Sequence, residues 1–300
     1  MQHTLTFVAI VLIPYIHCTC RGLLLGGGGD KAAYQAGVIK ALVELDPRGV
    51  AYDVVVGISG GALNAATFAK YNIDDEMWVS QDLVDLWSHI RARDMYQMWP
   101  SPLISILKQP SMLDTAPQHK FVNALFNPSK LALKNRQVYV SVTKYETFEN
   151  ELISSKDSRF LNAVVASSAF PGIYPPVKLN DTLYLDGAFN FIHPIQSIVD
   201  KCIHAEAGSR DVHIDIIVPN GDFVHNTTIV KMPTLPAAIS KLAENMCSSV
   251  LMNDYHKPLP GVKVRMFKPS KPLEGIYLTF TNSLQYIKQG YDDTVNLLKA

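Results

Sequence analysis

Gly57-Ile58-Ser59-Gly60-Gly61 sits where one periodicity gives way to another, and no other feature of the 300-residue chain constrains its fold as tightly. Before it, Asp53-Val54-Val55-Val56 is a β-branched run that reads with Gly57 as a strand buried on both faces. After it, Gly60 to Lys70 reads as a helix. A G-x-S-x-G placed where a strand passes straight into a helix requires a sharp turn, a strained backbone at the serine, and a hydroxyl pushed outward. Glycines two positions either side remove the side chains that would collide across such a turn. Ser59 is therefore the candidate nucleophile.

One unit upstream, Leu23-Leu24-Leu25 is a short apolar run stopped by Gly26-Gly27-Gly28-Gly29. Lys31 to Leu45 follows as a helix, with Val38, Leu42 and Leu45 at helical spacing and Gln35, Lys40 and Glu44 on its surface. Asp46-Pro47-Arg48-Gly49 ends it. Strand, helix and second strand make a right-handed crossover between parallel strands. Further strands are expected at 137–143, 183–185 and 212–218, and helices near 74–91, 120–126, 194–205 and 284–299. Alternation of this kind predicts a three-layer α/β/α sandwich with a mostly parallel central sheet. No Gly/Ser-rich linker divides the chain, so residues 21–300 read as one domain.

The four glycines let backbone N–H groups converge on a developing oxyanion at a helix N-terminus. Gly27, Gly28 and Gly29 are the candidates, joined by Gly60 just after the serine. A dinucleotide loop would need glycine at position 32, where Ala32 stands, and an acid at the end of the second strand. A P-loop would need a Gly-Lys-Ser/Thr that does not follow. Tyr184-Leu185-Asp186-Gly187-Ala188 places a carboxylate at the end of a strand, and a carboxylate against a serine hydroxyl can act as its general base.

Taken together, Leu23–Val38, Gly57–Ala66, Ala166-Ser167-Ser168-Ala169-Phe170-Pro171-Gly172 and Asp186-Gly187-Ala188 resemble the patatin-like phospholipase family, in the family's order. The resemblance covers about residues 22–195, and Gln289-Gly290-Tyr291 looks like part of the family's closing helix. It implies a Ser59–Asp186 dyad, an oxyanion hole from the glycine amides, and supporting positions at Lys31, Gly57, Gly61, Gly187 and Ala188. It also implies hydrolysis of phospholipid or other lipid acyl esters at a transient membrane or micelle surface, with no metal or cofactor. Two positions depart from the family: Lys31 stands for arginine and Ala32 for glycine. A relaxed catalytic demand at those positions would make the chain a lipid- or protein-binding relative instead. A rival Ser-Asp-His triad would draw on His193, His213, His225 or His256, which all follow Asp186. Between Met95 and Leu113, Trp99, Leu103 and other apolar residues broken by prolines read either as a lipid-facing lid or as core under a loop.

Lys plus Arg and Asp plus Glu are 27 each, so the net charge is zero and the basic excess of a nucleic-acid binder is missing. Residues 1–20 read as a signal peptide: Leu5 to Ile16 is apolar, and Cys18 and Cys20 occupy the −3 and −1 positions of a cut before Arg21. The chain is then expected to be secreted or in the secretory pathway. Against this, Pro14 interrupts the run and only His3 precedes it, so an uncleaved membrane anchor or an N-terminal strand is the other reading. Cys202 and Cys247 read most simply as buried free thiols, or as a pair in an oxidising compartment. Asn180 and Asn226 carry the N-x-Thr pattern of glycan acceptors.

Overall fold

The computed structural model describes residues 19–47, 49–100, 108–131, 133–190, 194–205, 211–220, 259, 261–275 and 277–299. The apolar run before Cys18, Cys18 itself, Leu103, His193, His225, Asn226, Cys247 and His256 lie outside them.

In chain order the elements are β1 (Cys20–Leu25), α1 (Ala33–Leu45), β2 (Val54–Gly57), α2 (Gly60–Phe68), α3 (Glu76–His89), α4 (Ala92–Met95), β3 (Gln97–Met98), β4 (Leu113–Asp114), α5 (Ala116–Leu125), α6 (Pro128–Leu131), β5 (Gln137–Lys144), β6 (Asn150–Ser154), α7 (Phe160–Ser167), β7 (Val177–Leu179), β8 (Thr182–Asp186), α8 (Pro194–Ala205), β9 (Val212–Ile217), β10 (Val262–Phe267) and α9 (Ser283–Lys299). The main sheet runs β10-β9-β1-β2-β5-β8-β7, with β6 paired to β5. Five strands, β10, β9, β1, β2 and β5, are parallel; β6 and β8 run antiparallel to β5, and β7 to β8.

Alternation along the strands builds the layers. Leu23, Leu25 and Val55 join the core beneath α1, α2, α3 and α7, whereas Leu24, Val54 and Val56 join the core covered by Ile195, Ile198 and Val199 of α8. The expected three-layer sandwich with a mostly parallel sheet is thus what the chain forms. Among the described residues no helix is long and apolar enough to cross a membrane.

Several details differ from the sequence reading. Residues Gly29–Ala32 form a 3-10 turn, so α1 begins at Ala33 rather than Lys31. Gln35 is fully buried, not on the surface, because its amide is turned inward onto the glycine loop, the end of β9 and α2, while α9 covers a second side of α1. There the helices touch backbone to backbone: a Cβ on Gly37 would strike the Ile287 carbonyl, and one on Gly290 the Tyr34 carbonyl. The short strands β3, β4, β6, β7 and β10 and the short helices α4, α6 and α7 were missed; each is too brief to show a clear periodicity, and β10 pairs with β9 about fifty residues away.

Cys202 is neither a free thiol nor a partner of Cys247. It is joined to Cys20, 182 residues away, with Cα atoms 5.7 Å apart. The bridge ties α8 to the first residue of β1, and a cut before Arg21 would remove one half of it.

Candidate active site

Ser59 occupies the turn between β2 and α2 with φ 54° and ψ −125°. A non-glycine residue in this region costs on the order of 1–3 kcal/mol and persists only where its surroundings over-determine it. Here the Ser59 N–H donates to Ser167 Oγ at 2.9 Å, and the N–H groups of Gly61 and Ala62 close the first turn of α2 onto the carbonyls of Ile58 and Ser59. Gly60 lies against the Gly29 carbonyl, Gly61 against that of Leu25, and Gly57 against that of Gly61, so no side chain fits at any of the three.

Asp186 reaches the same place from the other end of the sheet. Val140 of β5 is opposite Gly57, and Val142 is opposite Asp186. Because β6 occupies the opposite edge of β5 over Tyr139–Thr143, β2 and β8 share one edge, end to end. Ser59, two residues past Gly57, therefore meets Asp186. The Asp186 N–H donates to the Ala169 carbonyl at 3.0 Å, and its Oδ1 accepts the Ala188 N–H at 2.9 Å. A Cβ on Gly187 would strike the Ser141 carbonyl of β5, which is why glycine follows the acid. The Ala166–Gly172 segment thus grips both candidates, one through the Ser167 hydroxyl and one through the Ala169 carbonyl.

Asp186 is 2% exposed. Burial raises its pKa from 3.8 to about 7, against the opposing pull of the Ala188 N–H and the Ser59 hydroxyl. The physical cause is desolvation of the charged form. Such a carboxyl is divided between acid and base near neutrality, as proton transfer requires.

Gly28, Gly29 and Gly60 line a cavity of about 360 Å³ together with Ser59 and Asp186. Gly27 is buried beside them and does not line it. Gln35 holds the glycine loop from behind: its Nε2 donates to the carbonyls of Gly26 at 2.7 Å and Ile217 at 3.1 Å. Asn64 of α2 continues the network, donating to Gln35 Oε1 at 2.8 Å and accepting the Trp87 indole N–H at 2.6 Å. Each of these polar side chains is buried, and each finds a partner, as burial demands. The rest of the wall is largely apolar, including Leu63, Trp87, Met95, Leu113, Phe170 and Ile173, and Asp186 is its only Asp, Glu, Lys, Arg or His among the described residues.

The two departures from the family pattern fit without disturbing this geometry. The Lys31 ammonium lies 4.3 Å from the centre of the Tyr277 ring, a cation–π contact. Ala32 is fully buried, and its carbonyl accepts from Asn64 at 3.1 Å. No histidine among the described residues lines the cavity; His213 lies near the start of β9, opposite Arg21 and Lys263. Trp99 is anchored by its indole N–H to the Ser111 carbonyl at 3.1 Å. Asn180 sits exposed in the β7–β8 turn with φ 54°. Sequence reasoning missed Ser167, Asn64, Trp87 and Asp30. Asp30, Asn64 and Ser167 fall within quoted segments, but their partners are remote.

Residues 23–198 match the family described as patatin-like phospholipase. The chain is 30% identical over 173 residues to the lysophospholipase nte1 of Aspergillus terreus, covering 56% of this chain and 10% of that protein. It is 28% identical over 203 residues to the mouse (Mus musculus) patatin-like phospholipase domain-containing protein 7, covering 63% and 14%. The chain thus spans about a tenth of the length of the curated relatives it matches. Among solved structures, VipD from Legionella pneumophila aligns with a TM-score of 0.43 at 15% identity, over 94% of this chain and 67% of that one.

Proposed function

This chain belongs to the patatin-like phospholipase family, and from that premise we propose that it is a lipid acyl hydrolase of the phospholipase A or lysophospholipase type, working through an acyl-serine intermediate. The observation that carries the reading is the meeting of a strained Ser59 with a buried Asp186 at the wall of an apolar cavity. Ser59 Oγ attacks the ester carbonyl while its proton passes to the Asp186 carboxylate. The carbonyl oxygen becomes an oxyanion, received by the amides of Gly28, Gly29 and Gly60, the glycines that line the cavity. Collapse expels the alcohol, which takes the proton back from Asp186. Water, deprotonated by Asp186, then releases the acyl group from Ser59. The apolar wall supports an acyl chain as the occupant.

A fluorophosphonate probe tests the reading directly. Wild type is expected to label, and Ser59→Ala to remain folded, unlabelled, and slower in ester hydrolysis by at least about a thousandfold. A wild type that stays unlabelled in both buffer and detergent would sink the proposal in favour of a binding protein.

The substrate reaches the cavity from a lipid surface. Met98 and Met112 line the cavity yet are 62% and 44% exposed, an apolar rim continuous with the site. Replacing both with serine is expected to slow turnover of vesicle-borne lipid by about a hundredfold, since burying a Met in the lipid surface is worth at least about 1.5 kcal/mol and two give about two tenfold steps, while soluble short-chain ester turnover changes little. Equal rates on vesicles before and after would remove the rim from the account.

We also propose that the chain belongs to the secretory pathway, a reading supported by the Cys20–Cys202 bridge, since such bridges persist in oxidising compartments. Any cleavage of the N-terminal segment then falls before Cys20.

A further inference from the structure

Asp30 is completely buried beside the glycine loop, yet it takes no part in the chemistry above. Its two carboxylate oxygens are both used by one distant segment. Oδ1 accepts the Leu278 N–H and Oδ2 the Phe280 N–H, each at 2.9 Å. Both donors have left-handed backbones, with φ 65° at Leu278 and 57° at Phe280, a conformation that branched and bulky residues avoid unless held. A second tie comes from the other side, where the Tyr96 hydroxyl donates to the Leu278 carbonyl at 2.8 Å.

The segment so held is a wall of the cavity. Tyr277, Leu278 and Phe280 all line it, and Phe280 stacks on Trp87 with ring centres 6.3 Å apart and planes within 8°. Burial raises the Asp30 pKa, and the Phe280 and Leu278 N–H groups offset part of that rise. One carboxylate thus sits between the oxyanion loop, through its own backbone, and the apolar wall, through its side chain.

We propose that Asp30 is a positioning residue for acyl-chain selectivity: it clasps residues 277–280 into the wall against which the far end of a long acyl chain packs. The inference rests on the acyl hydrolase reading for its substrate. An acetyl group at Ser59 does not need that wall, whereas each methylene of a longer chain gains from it.

Asp30→Asn is the decisive variant, because the amide is isosteric but offers one acceptor where the carboxylate offers two, and turns an N–H toward the other donor. The kcat/KM ratio of p-nitrophenyl palmitate to p-nitrophenyl acetate is expected to fall about tenfold, carried by KM, and the Kd for cis-parinaric acid to rise by about the same factor, one tenfold step in affinity. A ratio and a Kd both unchanged overturn the proposal, as do equal losses on both esters with an unchanged Kd. If Asp30→Asn does not fold, Tyr96→Phe releases the clasp from the opposite side and should lower the ratio about threefold, roughly half a tenfold step in energy; no change there also overturns it. Parinaric binding that depends on Asp30 in a protein that hydrolyses neither ester would sink the hydrolase reading and leave the wall standing. A wild type that neither binds nor hydrolyses removes both.

Discussion

Asp186→Asn should destroy activity and stabilise the protein, with both effects governed by pH. In the proposed role of general base, Asp186 must be ionised, so kcat/KM of the wild type should climb about tenfold per pH unit on the acid side and level off above about 7. The asparagine variant should be slower by at least about a thousandfold at the plateau. Stability moves the other way. Because the folded pKa stands above the ordinary 3.8, the native state keeps a proton between roughly pH 4 and 7 that the unfolded chain has released. That contribution is fully present below about 4 and is lost as pH rises through about 7. Three units at about 1.36 kcal/mol each set an upper bound near 4 kcal/mol at pH 8. Asparagine keeps an oxygen for the Ala188 N–H and carries no charge to desolvate. The variant should therefore be more stable than wild type at pH 8 by about 3 kcal/mol, or roughly 6–12 °C in Tm, with the difference vanishing near pH 4. A wild-type rate profile flat from pH 5 to 9, or a variant equally stable at both extremes, would count against a buried base.

Loss of the Cys20–Cys202 bridge should destabilise the fold. It closes a loop of 182 residues, for which the chain-entropy account gives about 5 kcal/mol, and native bridges typically return about 2–5. Cys20→Ala, Cys202→Ala and the reduced wild type should all melt lower by roughly 6–15 °C. The double variant should be no worse than either single one, since the bridge is a single interaction. Bridge loss also frees the start of β1, the strand that leads into the glycine loop, so fluorophosphonate labelling should weaken before the fold is lost. Secreted protein should retain Cys20 at or near its mature N-terminus, and intact mass should show two hydrogens fewer than the reduced chain. Unchanged melting on reduction, with free thiols at both positions, would remove the bridge and with it the support for an oxidising compartment.

The stretch from Leu23 to Leu45 was legible because its signals are local. A triplet of leucines and four glycines need no distant partner to announce a strand and a loop. The same holds for Ser59, since an elbow is written within five residues. Asp186 was found by its order in the chain and by the Gly187-Ala188 that follows, although no spacing said that it would lie beside Ser59. That nearness is a matter of register, decided when β5 pairs β2 at Gly57 and β8 at Asp186 along one edge. Gln35 was misread for a related reason: a polar side chain reads as surface, whereas its buried acceptors, the Gly26 and Ile217 carbonyls, are brought to it only by the fold.

What the sequence determined alone, then, was the order of strand, glycine loop, elbow and acid, because backbone sterics and side-chain periodicity act within a few residues of each other. The tertiary structure alone decided that Cys20 pairs with Cys202, that Ser167 receives the Ser59 N–H, and that Asp30 holds Leu278 and Phe280 across nearly 250 residues. Cysteine, serine and aspartate each offer the same few bonds to any partner. Which partner they take is settled by the packing of two cores on one sheet, and that packing also sets how far water is excluded from Asp186 and hence how strongly its carboxyl holds a proton.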